Sequence, residues 1–133
     1  MKIKSEQELI KYGRDFAREL KIPTVIELVG DVGAGKTTFV RGLAEGLGIK
    51  ETVTSPSFTI SKAYALPNGK KLVHYDFYRL SEPGLMVDDL TENINDNNTI
   101  TIIEWGESIA GVLPKDRIKI KIDYTEDGRE IVL

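Results

Sequence analysis

The chain has 133 residues, 41% hydrophobic and 29% charged, with a net charge of −3 and no cysteine. That balance fits one globular domain spanning residues 1–133, excludes disulfides and thiolate metal sites, and offers no broad basic surface for DNA or for independent tRNA reading. No apolar run reaches the ~20 residues of a membrane span and "MKIKSEQEL" has no signal-peptide core, so the expected setting is the cytoplasm, away from membranes.

In chain order, Ser5 and Glu8 predict a capping-box start to a helix that carries Leu9, Gly13, Phe16 and Leu20 at helical spacing. Pro23 interrupts, and "TVIELVG" is expected as a buried strand running into a glycine-rich loop. A second helix is predicted from Lys36 to about Leu47, with Phe39, Val40, Leu43 and Leu47 as its apolar stripe and Gly48 as its stop. "SFTISKAYAL" and "KKLVHYDFYRL" are strand-like runs joined by "PNG", a hairpin signal. A polar region through "NDNN" follows, then "TITIIEW" as a buried strand and a short helix over residues 106 to 113, stopped by Pro114. "RIKIKIDY" alternates strictly, its lysines on a solvated face, and "EDG" turns it into a last short strand, "EIVL".

The chemistry is concentrated in "GDVGAGKTTF", where Gly30 to Thr37 satisfies G-x-x-x-x-G-K-[ST] between a predicted strand and a predicted helix. A loop of backbone N–H groups at a helix N-terminus surrounds phosphate oxygens, and side chains there would block them. Lys36 supplies the point charge for the β- and γ-phosphates, and the Thr37 hydroxyl is the Mg²⁺ ligand. A mere glycine turn would leave a cation at a helix N-terminus unexplained, because the dipole disfavours it there. The element order and this loop together predict an α/β chain: a P-loop NTPase-like mixed sheet flanked by helices, rather than a regular βαβ repeat.

Nucleotide hydrolysis also needs an acid to hold the metal's water shell or orient the attacking water. "TITIIE" ends in Glu104, as a metal-associated acid at a sheet's carboxyl edge does. In "LVHYDFY", period two places Leu72, His74, Asp76 and Tyr78 on one face and Val73, Tyr75 and Phe77 on a core-like one. Asp76 and Glu104 are therefore the candidate catalytic acids beside Lys36. His74 serves either a catalytic role or a hydrogen bond to a neighbouring loop. "TVTSPSFTI" places hydroxyls around a proline-stiffened turn, either a γ-phosphate sensor or a plain turn. Trp105 either leaves the strand near the nucleotide or packs in the core.

"GDVGAGKTTF", "TSPSFTI", "HYDFYRL" and "IIEWGE", in this order and spacing, resemble the TsaE family over nearly the whole chain. The family is formed by small bacterial ATPases of tRNA threonylcarbamoyladenosine biosynthesis. The resemblance implies ATP or ADP held by Asp31, Val32, Gly33, Ala34, Gly35, Lys36, Thr37 and Thr38, with Ser5, Trp105 and Gly128 nearby. It implies Mg²⁺ at Thr37 and Glu104, a functional Asp76, and a mobile Thr54–Thr59 segment. Arg129 lies in the stretch that approaches the base. Ser57 stands where many members carry threonine, and the sequence ends with "GREIVL". The implied partner is a TsaD–TsaB complex that performs the transfer to tRNA, so tRNA is met only through that complex. Two other classes use the same loop: a small-molecule kinase, for which no arginine-bearing lid is visible, and a nucleotide-binding scaffold without turnover. A regulatory GTPase would need an N-K-x-D segment, which the sequence lacks.

Overall fold

The computed structural model describes residues 1–31, 33–54, 56, 60–78 and 84–133, the side chains of Leu85 and Ser108 excepted. Within them run β1 (Lys2–Ile3), α1 (Glu6–Arg18), β2 (Thr24–Val29), α2 (Lys36–Gly46), β3 (Ser61–Ala65), β4 (Lys71–Asp76), α3 (Gly84–Ile94), β5 (Thr99–Glu104), β6 (Ile118–Thr125) and β7 (Gly128–Val132). The strands form one mixed sheet in the order β1-β7-β6-β2-β5-β4-β3. This is the α/β class with a mixed sheet and helices that the sequence predicts. By its internal contacts the chain groups into two compact units, described in turn.

The first unit comprises Met1–Leu20, Leu28–Ser55 and Lys119–Leu133. Its first helix starts as expected: Ser5 Oγ accepts from the Glu8 N–H at 3.1 Å, and Glu8 Oε2 accepts from the Lys4 N–H at 2.8 Å. The reciprocal bond of the capping box is thus made one residue earlier than its usual position. α2 ends in a complete Schellman motif, with Gly48 at φ 86°, its N–H on the Glu45 carbonyl, and the Ile49 N–H on the Ala44 carbonyl. The two helices lie almost backbone to backbone. A Cβ at Gly13 would stand 2.6 Å from the Phe39 carbonyl oxygen, and one at Gly42 would run into the Ile10 carbonyl. Around that contact Tyr12, Phe16 and Phe39 pack ring to ring at 5.8–6.4 Å. β7 pairs antiparallel with both β1 and β6, opposing Arg129 to Ile3 on one side and to Tyr124 on the other.

The second unit comprises Lys21–Glu27 and Pro56–Ile118. β3 and β4 form the expected antiparallel hairpin, whose "PNG" connection puts Asn68 and Gly69 at φ 66° and 74°. β4 runs parallel to β5 with Asp76 beside Glu104. Val73, Tyr75 and Phe77 face one apolar cluster with Val25, Leu90 and Ile103, as period two predicts. The short helix after β5 is a 3-10 segment, Gly106–Val112.

Two elements depart from the sequence reading. β1 is too short to be signalled by periodicity and exists because β7 offers it an edge. The stretch before "NDNN" is read from sequence as a polar connection, yet α3 occupies it. Its acids and β-branched residues give weak helix propensity, and what secures it is packing: Leu90 is fully buried in the cluster. In addition, Tyr75 donates to Asp89 Oδ2 at 2.5 Å and accepts from Asn93 Nδ2 at 2.6 Å. Among the described residues no helix is long and apolar enough to cross a membrane.

Candidate nucleotide site

The glycine-rich loop belongs to the first unit. β2 delivers the chain to Gly30, and a turn closed by the Ala34 N–H on the Asp31 carbonyl at 3.0 Å leads to Gly35. Gly35 is the N-cap of α2 at φ 109°, a conformation that disfavours any other residue. It provides no capping side chain, and the first turn of α2 carries no acid, so nothing anionic from the helix itself occupies its positive end. Lys36 is only 5% exposed, and its Nζ folds back to donate to the Gly30 carbonyl at 2.5 Å. Thr37 and Thr38 follow in the first turn, both half-buried. Asp31 and Gly33 are exposed and Ala34 is buried, while Val32 lies outside the described residues. The arrangement can receive an anion on backbone N–H groups with an ammonium in reach of the loop.

Two side chains that sequence reasoning did not assign to the loop hold it from β6 and β7. Tyr124 donates its hydroxyl to the Gly33 carbonyl, and the Arg129 guanidinium sits over the Tyr124 ring at 5.4 Å. Arg129 Nε would stand 3.1 Å from a Cβ at Gly35, and it is buried without a hydrogen-bond partner among the described residues. The alternation of "RIKIKIDY" contains a signal for Tyr124, which shares its face with the buried Ile120 and Ile122 at the strand's end. The lysines Lys119 and Lys121 are exposed, as expected. Gly128 has a packing reason of its own, because a Cβ there would run into the Ile3 carbonyl. Ser5 is engaged in its helix cap.

The candidate acids belong to the second unit. Asp76 and Glu104 terminate neighbouring parallel strands in register, and both are buried, at 6% and 3% exposure. Adjacent strands are about 4.8 Å apart, so the register sets the two acids side by side at the strand ends. Asp76 Oδ1 accepts from the Tyr78 N–H at 2.9 Å, which fixes the turn that leaves β4. Glu104 Oε2 lies 2.5 Å from Nε2 of His74, a residue with no exposed surface. The sequence reading weighed a catalytic role for His74 against a bond to a neighbouring loop; the observed partner is the neighbouring strand's carboxylate rather than a loop. Trp105 leaves β5 at φ 58° and lays its ring on Tyr78, centroids 4.8 Å apart, while packing against the apolar cluster. Within the candidate sensor segment, 55 and 57–59 lie outside the described residues, and Thr54 is exposed.

The comparisons with known proteins agree on one family. The model of threonylcarbamoyl adenosine biosynthesis protein TsaE matches residues 3–131. A tRNA threonylcarbamoyladenosine biosynthesis protein TsaE from Streptomyces coelicolor is 41% identical over 84% of the chain and 76% of its own length. A protein of the same description from Haemophilus influenzae is 37% identical over 98% of the chain and 85% of its own. Among solved structures, Bacillus subtilis YdiB is similar with a TM-score of 0.77 and 36% identity, over 96% of this chain and 78% of that one.

Proposed function

The chain belongs to the TsaE family of tRNA threonylcarbamoyladenosine biosynthesis, and from that membership and the loop at the start of α2 we propose that it is a Mg²⁺-dependent ATPase. The observation that carries this reading is the uncapped helix N-terminus at Gly35 with Lys36 folded onto Gly30. A buried lysine bonded to its own loop carbonyl holds its charge among groups that a polyphosphate would engage. Exchange of that carbonyl for phosphate oxygens sets the ammonium against a full negative charge in place of a neutral dipole.

Hydrolysis of the terminal phosphate asks the protein for charge neutralisation and for an oriented water. The first task falls to the N–H groups of residues 33–38 and to Lys36. The second falls to Asp76 and Glu104. Among the described residues no group of three or more His, Cys, Asp or Glu is arranged to hold a metal ion. Mg²⁺ in nucleotide sites takes one or two protein oxygens and completes its shell with water and phosphate, and the hard donors Thr37 and Glu104 fit that demand. When bound, the ion neutralises charge on the β- and γ-oxygens. Ser5, Trp105 and Gly128 complete the proposed nucleotide contacts.

The proposed partner is a TsaD–TsaB complex, which carries out the transfer to tRNA in the cytoplasm while this chain turns over ATP beside it. Phosphate release from Mg-ATP, with and without the purified complex, tests the reading. We expect weak release alone and a clear increase with the complex. No release in either condition would reduce the protein to a nucleotide-binding scaffold.

A further inference from the structure

We propose that His74 is a positioning residue for Glu104: it clamps one carboxylate oxygen so that the acid meets Mg²⁺ and its water in a single orientation. The inference rests on the ATPase reading, and extends it by giving a specific role to His74, for which the sequence left two alternatives open. Three observations carry it. The Nε2–Oε2 distance is 2.5 Å, and both side chains are almost wholly removed from solvent, at 0% and 4% exposure. An ionised carboxylate accepts only, and in the proposed clamp Nε2 is the donor. The register of β4 and β5 sets His74 opposite Ile102, one pleat behind the Asp76–Glu104 pair on the same face, so the clamp reaches diagonally across the strand boundary.

The third observation separates positioning from plain packing. His74 Nδ1 is buried and has no hydrogen-bond partner among the described residues. The neighbours on this face are Leu72, Ile100 and Ile102, all fully buried. A site chosen for stability alone would continue that apolar row, since well-packed hydrophobic residues often equal or exceed a buried polar pair. An imidazole that satisfies only one nitrogen sacrifices stability in order to fix one oxygen. Carboxylates that serve a metal are commonly held by such an outer hydrogen bond, and loss of that bond lowers affinity or activity about 10–100-fold.

His74 is the only histidine in the chain, so a spectrum of histidine-labelled protein reports a single imidazole. The test titrates wild-type protein with ADP in EDTA and then with Mg-ADP, following the two ring nitrogens by NMR and nucleotide binding by Trp105 fluorescence. We expect the Nε2 resonance to move with Mg-ADP and to stay in place with ADP alone. Alongside, His74→Leu should lower kcat about 10–100-fold with little change in KM for ATP, and His74→Gln, which restores a donor, should recover most of that loss. An imidazole that stays in place while Mg-ADP binds overturns the proposal and leaves the ATPase reading intact. So does a folded His74→Leu protein with wild-type kcat. A wild-type protein that binds no Mg-nucleotide overturns both.

Discussion

At the scale of single residues, two buried charges dominate, Lys36 and Glu104, and their substitutions separate binding from turnover. Lys36→Ala removes the ammonium that now rests on Gly30. Saturating Mg-ATP at ~100 times its dissociation constant should stabilise the wild-type protein by roughly 2.7 kcal/mol through mass action. Most of that shift should vanish in Lys36→Ala, and a thermal melt with and without Mg-ATP measures it. Glu104→Gln and Asp76→Asn keep shape and remove charge, so turnover should fall by an order of magnitude or more while nucleotide affinity changes little. Phosphate release paired with a binding isotherm checks this. Wild-type rates in both variants would remove the two acids from the reaction.

At the scale of elements, α1 and α2 meet almost backbone to backbone in the first unit. Gly42→Ala would raise helix propensity by up to ~1 kcal/mol on an open helix. Here the new methyl would meet the Ile10 backbone, with Cα at 2.8 Å, and overpacking costs about 1–3 kcal/mol. The clash wins, so the variant should unfold at lower urea, against the propensity order. In the second unit, α3 is tied to β4 through Tyr75. Burial, then the hydrogen bond to Asp89, pushes the Tyr75 hydroxyl well above the usual tyrosine range. The unfolded chain's tyrosine ionises near ~10, so above that pH the unfolded state binds fewer protons than the folded one. This contribution is complete below pH ~10 and is lost as pH rises toward the folded value. Tyr75→Phe should cost about 1–3 kcal/mol by leaving Asn93 underbonded, and should flatten the alkaline decline in stability. Thermal melts of both proteins from pH 8 to 11 measure the two effects together.

At the scale of the whole molecule, the expected behaviour is dependence on a partner. A chain with net charge −3 offers no broad basic surface for tRNA, and on the proposed reading its contribution to the modification passes through another protein. If that partner prefers the ATP-bound form, ATP must strengthen the association by the same factor by which the partner strengthens ATP binding. Capture on immobilised TsaD–TsaB complex should therefore be greatest with ATP, weaker with ADP and weakest without nucleotide. Equal capture in all three conditions would remove the nucleotide switch and leave the loop's chemistry untouched.

What the sequence determined by itself was local chemistry. The 30–37 loop, the Ser5 cap, the Gly48 stop, the "PNG" hairpin and the two faces of β4 follow from residues within a few positions of one another. Their physics is that of dihedral preference, capping and period-two alternation. What the tertiary structure alone decided depends on residues far apart in the chain. β1 forms because β7 is there to pair with it. α3 holds because Leu90, Asp89 and Asn93 find partners on β4. Tyr124 and Arg129 meet the loop some ninety residues after it, through strand register that no local pattern encodes. The same register carries His74 to Glu104 across thirty residues. A lone histidine in a strand is compatible with several roles, and the parallel pairing of β4 with β5 selects the carboxylate it holds.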